Sequence, residues 1–144
     1  MPGAVAALRA NGLRVSTARR VVLEALFAAD GPATADELAG GIPGFVPESD
    51  LASVYRNLET LETIGLVRHV HFGHGAGRYV LSANADRGYV SCRRCGAFEA
   101  LAPATRAALR DVIAAHTSYH AQFTHFPVVG LCAGCRTTGG EAHP

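Results

Sequence analysis

Val21, Val22, Ala25, Leu26 and Ala29 recur at three- and four-residue spacing, as one buried helical face does. Ser16 stands where the N-cap of that helix belongs, and the stretch before it, about Ala4–Ala10, reads as a first helix stopped at Asn11-Gly12. Thr34-Ala35-Asp36-Glu37 has the spacing of a capping box and opens a short third helix through Ala39. Pro43 and Pro47 then enclose a loop. Ser49 or Asp50 caps a fourth helix whose apolar stripe is Leu51, Val54, Leu58 and Leu61, and Ile64-Gly65 ends it.

From there the period changes from helix to strand. Leu66–Phe72 and Arg78–Leu81 are β-rich runs joined by the glycine-rich Gly73–Gly77, the pattern of a hairpin. Helices followed by a hairpin fit a winged helix-turn-helix, or equally a small α+β scaffold that binds nothing. Ser82–Gly88 is polar and turn-prone and reads as a linker. Beyond it, Tyr89–Cys92 and Phe98–Leu101 read as strands, and Pro103–His116 as a helix with Leu109, Val112 and Ile113 inward. Phe123–Leu131 reads as a further strand, at a sheet edge because Pro127 interrupts it. The expected fold class is α+β in two domains, residues 1–81 and 89–136, with a hinge at 82–88 and a frayed tail at 137–144.

Composition narrows the possible functions. The 144 residues are 49% hydrophobic and 17% charged, enough for a packed core and too apolar for a solvated tail. No apolar run nears the roughly 18 residues that a membrane span needs. The N-terminus lacks the basic and apolar regions of a secretory signal, so a cytoplasmic protein is expected. Net charge is +1, with seven arginines against eight acids over residues 1–81 and no lysine anywhere. A nucleic-acid binder built this way must use a few placed guanidinium forks, not a broad positive field. No nucleophile–base arrangement, phosphate-binding glycine loop or open metal triad occurs, so an enzyme is not expected.

All four cysteines fall into two Cys-x-x-Cys pairs, Cys92/Cys95 and Cys132/Cys135. Two thiolates three apart on a turn can face one ion, and two such turns complete the tetrahedral sulfur site that zinc prefers. The expected cofactor is one structural Zn²⁺ per protomer, because a closed four-sulfur site leaves no position for chemistry. Disulfides, a redox dithiol and an iron–sulfur cluster are the alternatives; a reducing compartment disfavours the first, and a redox motif needs only one pair. His69 and His71 share one face of the expected hairpin strand, where they bind a metal, meet phosphates when protonated, or are simply solvated.

Gly12-Leu13-Arg14-Val15-Ser16-x-x-Arg19-x-x-Val22-Leu23, then Ala52-Ser53-Val54-Tyr55-Arg56-Asn57-Leu58, Gly65-Leu66-Val67 and the two cysteine pairs resemble, in order and spacing, the ferric uptake regulator family. These are dimeric, metal-responsive bacterial transcription factors, and the resemblance covers about residues 7–135. It implies an N-terminal winged-helix domain, a hinge, and a C-terminal α/β dimerisation domain with a four-cysteine zinc site. Tyr55 and Arg56 match the family's DNA-reading pair, although alone they also read as a core-edge aromatic and a solvated charge. Arg14 matches a basic DNA-contacting position. Arg19 matches as well, or is an internal salt-bridge partner, and Ser53 offers a hydroxyl to a phosphate or base. The implied partners are double-stranded DNA with a pseudo-palindromic operator and a second copy of the chain; no membrane is involved.

The chain departs from the family where a regulatory metal is normally held. The segment before the first cysteine pair, Asp86–Ser91, has no histidine, and Val80, Pro32-Ala33 and Thr124 stand at other expected ligand positions. Asp86, His116, His120 and His125 are the remaining candidates for a second metal. The sequence therefore predicts a dimeric transcriptional regulator, expected to act as a repressor, with structural zinc and non-standard or absent hinge sensing. The alternatives are a zinc- or iron-dependent uptake repressor with relocated ligands, and a metal- or partner-binding scaffold that does not bind DNA.

Overall fold

The computed structural model describes residues 1–29, 31–72, 75–123 and 127–137, apart from the side chain of Asp86. The chain forms two compact units, one of residues 1–70 and 76–85, the other of residues 71–75 and 86 onward.

The first unit begins with α1 (Pro2–Ala10) and α2 (Thr17–Ala28), followed by β1 (Ala33–Thr34), α3 (Ala35–Ala39) and α4 (Leu51–Thr63). A hairpin of β2 (Val67–Val70) and β3 (Arg78–Leu81) completes it. Helix starts are where side-chain oxygens meet orphan backbone donors. Ser16 accepts the Arg19 N–H, Asp50 accepts the Ser53 N–H at 2.8 Å, and Thr34 and Glu37 form a reciprocal capping box. Of the two possible caps on α4, Asp50 is the one used. Gly65, at φ +72°, ends α4 in a Schellman pattern, with Leu66 N–H donating to Leu61 O and Gly65 N–H to Glu62 O.

The expected α4 stripe needs one correction. Val54, Leu58 and Leu61 are fully buried, but Leu51 is 38% exposed and Asn57 is buried in its place. Leu51 occupies the first helical turn, beyond the edge of the core. Asn57 completes the i, i+3, i+4, i+7 face and satisfies its amide by donating to Ser53 O at 2.9 Å. Val54, Leu58 and Leu61 pack with Leu8, Val22, Leu23, Leu26 and Val67 into one core.

The wing is a three-stranded sheet in the order β1-β3-β2, all antiparallel. Its two-residue first strand has no periodicity of its own and was not expected from the sequence. Arg78 braces this corner. Its Nη1 donates to Pro32 O at 3.1 Å and to Glu37 Oε2 at 2.9 Å, the carboxylate that also caps α3.

Residues 82–88, expected as an irregular linker, begin as a 3₁₀ helix, Ser82–Arg87. Ser82 N–H donates to Leu66 O and Ala85 is buried, so the first unit runs through Ala85.

In the second unit, β4 (Tyr89–Cys92) pairs antiparallel with β5 (Phe98–Ala100) and parallel with β6 (Val128–Gly130), giving the order β5-β4-β6. The last strand is at an edge, though shorter than the run expected over 123–131. Residues 124–126 of that run lie outside the described residues. Helix α5 (Pro103–His116) has the expected bounds but buries no residue completely, and Val112, expected inward, is 58% exposed. A five-residue helix, α6 (Ala133–Thr137), follows the last strand where only a turn was expected. Most of the expected tail, 138–144, lies outside the described residues.

Candidate nucleic-acid interface and metal centre

Burial of Val54, Leu58 and Leu61 turns the opposite face of α4 to solvent. Tyr55 is 47% exposed and Arg56 is exposed, its Nη2 lying 4.0 Å from Asp50 Oδ2. Ser53 is half-buried in the first turn. Arg14 is exposed in the connection before α2. Arg19 is half-buried, and its Nη1 donates to Arg14 O at 2.7 Å, so it orders the backbone that carries Arg14. Among the described residues the contact that Arg19 makes is to backbone, with no carboxylate beside it.

On the wing, β2 ends at Val70, so His71 lies beyond the strand that was expected to carry both histidines. His69 instead stacks on Tyr79 across the β2–β3 pair, with ring centroids 4.8 Å apart. Gly77 makes that stack possible, because a β-carbon there would collide with His69 Nε2. The Tyr79 hydroxyl is pushed above its usual pKa by burial first, then by the neighbouring Tyr55, Glu62 and Glu59. Neither the Gly77 requirement nor the Arg78 brace has a local sequence signature.

The four cysteines converge in the second unit. Parallel pairing of Cys92 with Gly130 brings Cys132 beside the first pair, and α6 presents Cys135 one turn later. Gly96, at φ +74°, closes the first turn by donating its N–H to Cys92 O. The four Sγ atoms all lie within 4.8 Å of one another, with Cys95 and Cys132 3.8 Å apart. A regular tetrahedron of sulfurs about 2.3 Å from a central ion has edges of about 3.8 Å, so the donor set fits a zinc-sized, thiophilic cation. The Cys95–Cys132 sulfur pair is at thiol contact distance and not at S–S bonding distance, so the geometry favours a shared ion over a disulfide.

Backbone N–H groups of Cys132, Cys95 and Arg94 lower the Cys92 thiol to about 6. Cys135 is raised to about 12, chiefly by its hydrogen bond with the Cys132 side chain and then by burial. One strong thiolate and one retained proton in the same cluster are what four crowded sulfurs produce before a cation neutralises them.

Among the described residues, these cysteines are the one group of three or more metal-ligating side chains. His116 and His120 are both exposed and α5 ends at His116, which breaks their helical spacing. The Asp86 side chain and His125 lie outside the described residues. Ala33 and Val80 are buried apolar residues of the first unit's sheet, and Tyr89 is buried in the second unit.

The profile of the ferric uptake regulator family matches residues 10–125. The chain belongs to the ferric uptake regulator family, whose members are metal-responsive transcription regulators. It is 25% identical over 132 residues to the peroxide-responsive repressor PerR of Staphylococcus saprophyticus, covering 92% of this chain and 88% of that protein. The ferric uptake regulator of Vibrio cholerae superposes with a TM-score of 0.64 at 26% identity, over 88% of this chain and 97% of that one. The Helicobacter pylori ferric uptake regulator has the same fold, with a TM-score of 0.67 at 20% identity over 94% and 89% of the two chains.

Proposed function

We propose that this protein is a cytoplasmic, homodimeric, sequence-specific DNA-binding repressor with one structural zinc per protomer. Residues 1–81 read DNA, residues 89–136 dimerise, and sensing does not pass through a metal at 82–88. The observation that carries this reading is the outward Tyr55-Arg56 face of α4, a capped helix anchored by three fully buried apolar residues. Arg56 offers two parallel donors to a guanine edge or a phosphate, and Tyr55 a ring and hydroxyl beside it. Ser53, Arg14 and Arg19 support them, the last by ordering the Arg14 backbone.

Cys92, Cys95, Cys132 and Cys135 would hold the zinc. The ion supplies charge neutralisation of the thiolates and a cross-link between the β4–β5 turn and α6. Exposed Val112, Val128, Val129 and Leu131, together with the β6 edge, favour a second copy as the cover of this unit. A two-fold dimer then reads a pseudo-palindromic site.

The test is selection of bound duplexes from a randomised DNA pool by the zinc-loaded chain, then affinity measurement on the enriched sequence. An enriched pseudo-palindrome is expected, with Arg56→Ala costing about 1–3 kcal/mol of specific binding. No enrichment, or unchanged affinity in both Arg56→Ala and Tyr55→Ala, overturns the reading in favour of a non-DNA-binding scaffold.

A further inference from the structure

Arg106 of α5 carries a guanidinium Nε that is closed off from solvent and has no hydrogen-bond partner. Arginine stays ionised at any ordinary pH, and a shielded guanidinium nitrogen without an acceptor is costly. Its stem runs against the backbone at Gly88, where an added β-carbon would lie 3.2 Å from Arg106 Cδ and 3.0 Å from Phe123 Cβ. One helical turn on, Arg110 presents a second guanidinium to the same segment. Its Nε donates to Ala121 O at 3.2 Å and its Cζ lies 5.9 Å from the Phe123 ring centre.

Both arginines therefore flank Phe123 from one face of α5, four residues apart. Arg87, immediately before Gly88 in the chain, is an exposed fixed cation. Among the described residues no carboxylate pairs with Arg87, Arg106 or Arg110; the pairs Arg20–Glu24, Arg56–Asp50 and Arg78–Glu37 all lie in the first unit. The acids described on α5 and β5, Asp111 and Glu99, are exposed. Among the described residues this corner gathers positive charge, shields part of it from water, and gives it no carboxylate partner.

We propose that Arg106 and Arg110 form a binding site for a small oxyanion of the phosphate, sulfate or carboxylate class, with Phe123 as its apolar wall. Arg106 is the principal ligand, because its Nε has no acceptor within the chain, and a turn of the guanidinium toward an entering oxyanion would supply one through a charge-assisted hydrogen bond. Arg110, with Nε held by Ala121 O, keeps its two terminal nitrogens to donate. The site shares no residue with the cysteine cluster or the α4 face, so anion occupancy is a property distinct from both metal and DNA binding.

The experiment is thermal unfolding of the zinc-loaded full chain titrated with sodium phosphate, and in parallel sodium sulfate, against sodium chloride at constant ionic strength. Multivalent anions also stabilise proteins by surface exclusion, so the reading is the difference between variants. A saturable rise in Tm is expected in the wild type and in Arg56→Ala. Arg106→Met loses it, and Arg110→Met weakens the apparent affinity at least tenfold. Should Arg106→Met fail to fold, Arg106→Lys keeps the charge without the planar fork and is expected to bind phosphate at least tenfold more weakly by calorimetry. An equal response in the wild type and the Arg106 variants overturns the site, as does loss of the response in Arg56→Ala. A response that arises only in Asp86→Ala also overturns it, because the chain's own carboxylate is then the occupant.

Discussion

Arg56 Nη2 lies 4.0 Å from Asp50 Oδ2, the same oxygen that accepts the Ser53 N–H at 2.8 Å. A single carboxylate thus caps the helix and faces the arginine expected to read DNA. Both side chains are 71% exposed, so the ion pair itself adds little stability. Its consequence is electrostatic, since the positive helix end that would attract a phosphate is already filled by a negative charge.

Asp50→Ser keeps an oxygen at the cap and removes that charge. DNA affinity is expected to rise for specific and random duplexes alike, with the salt dependence steeper by about one phosphate contact. Equal affinities and equal slopes in the two proteins would count against any role for Asp50 at the interface.

The cysteine cluster makes two linked expectations. Cys132→Ser should lose the ion and unfold the second unit, because metal-binding free energy in such a site is folding free energy. For the intact site, Cys92 is depressed to about 6, so above that pH it is already a thiolate and releases no proton when metal enters. Below it, one additional proton must leave. The slope of log affinity against pH, measured with a competing chelator, should therefore steepen by one proton on going below about pH 6. A constant slope through that range would exclude Cys92 as the pre-ionised ligand.

Gly77 and His69 should show coupled energetics. Gly77→Ala drives a methyl into the imidazole stacked on Tyr79, and overpacking of that kind costs about 1–3 kcal/mol. His69→Ala removes the obstacle. The double variant should be less destabilised than the sum of the two singles in urea unfolding, whereas strict additivity would mean that the contact is not the cause.

Hinge sensing is expected to be absent. A sensing ion shifts a population only through ligands that one conformation supplies better than the other. Ala33 and Val80 are buried apolar residues, and residues 80–89 contain no histidine. With the cysteine site filled, added zinc, iron(II), manganese or nickel should change operator affinity less than tenfold. A larger effect abolished by substitutions at 80–89 would refute this; one abolished at His116, His120 or His125 would point to a relocated sensor.

What the sequence determined by itself is local. Ser16, the Thr34/Glu37 box, Asp50 and Gly65 mark helix ends because caps act within four residues, and the α2 and α4 stripes mark the faces of single helices. The Cys-x-x-Cys pairs likewise announce two half-sites. The rest came from pairings distant in sequence. Parallel β4–β6 pairing joined the half-sites, β1 added itself to the wing through β3, and the edge of the core left Leu51 exposed and took in Asn57. Val112 is exposed although the stripe of α5 marks it as inward, and Arg106 meets Gly88 only once the chain has folded back past Phe123. Those outcomes depend on which surfaces meet, and a surface has no periodicity to read until its partner is in place.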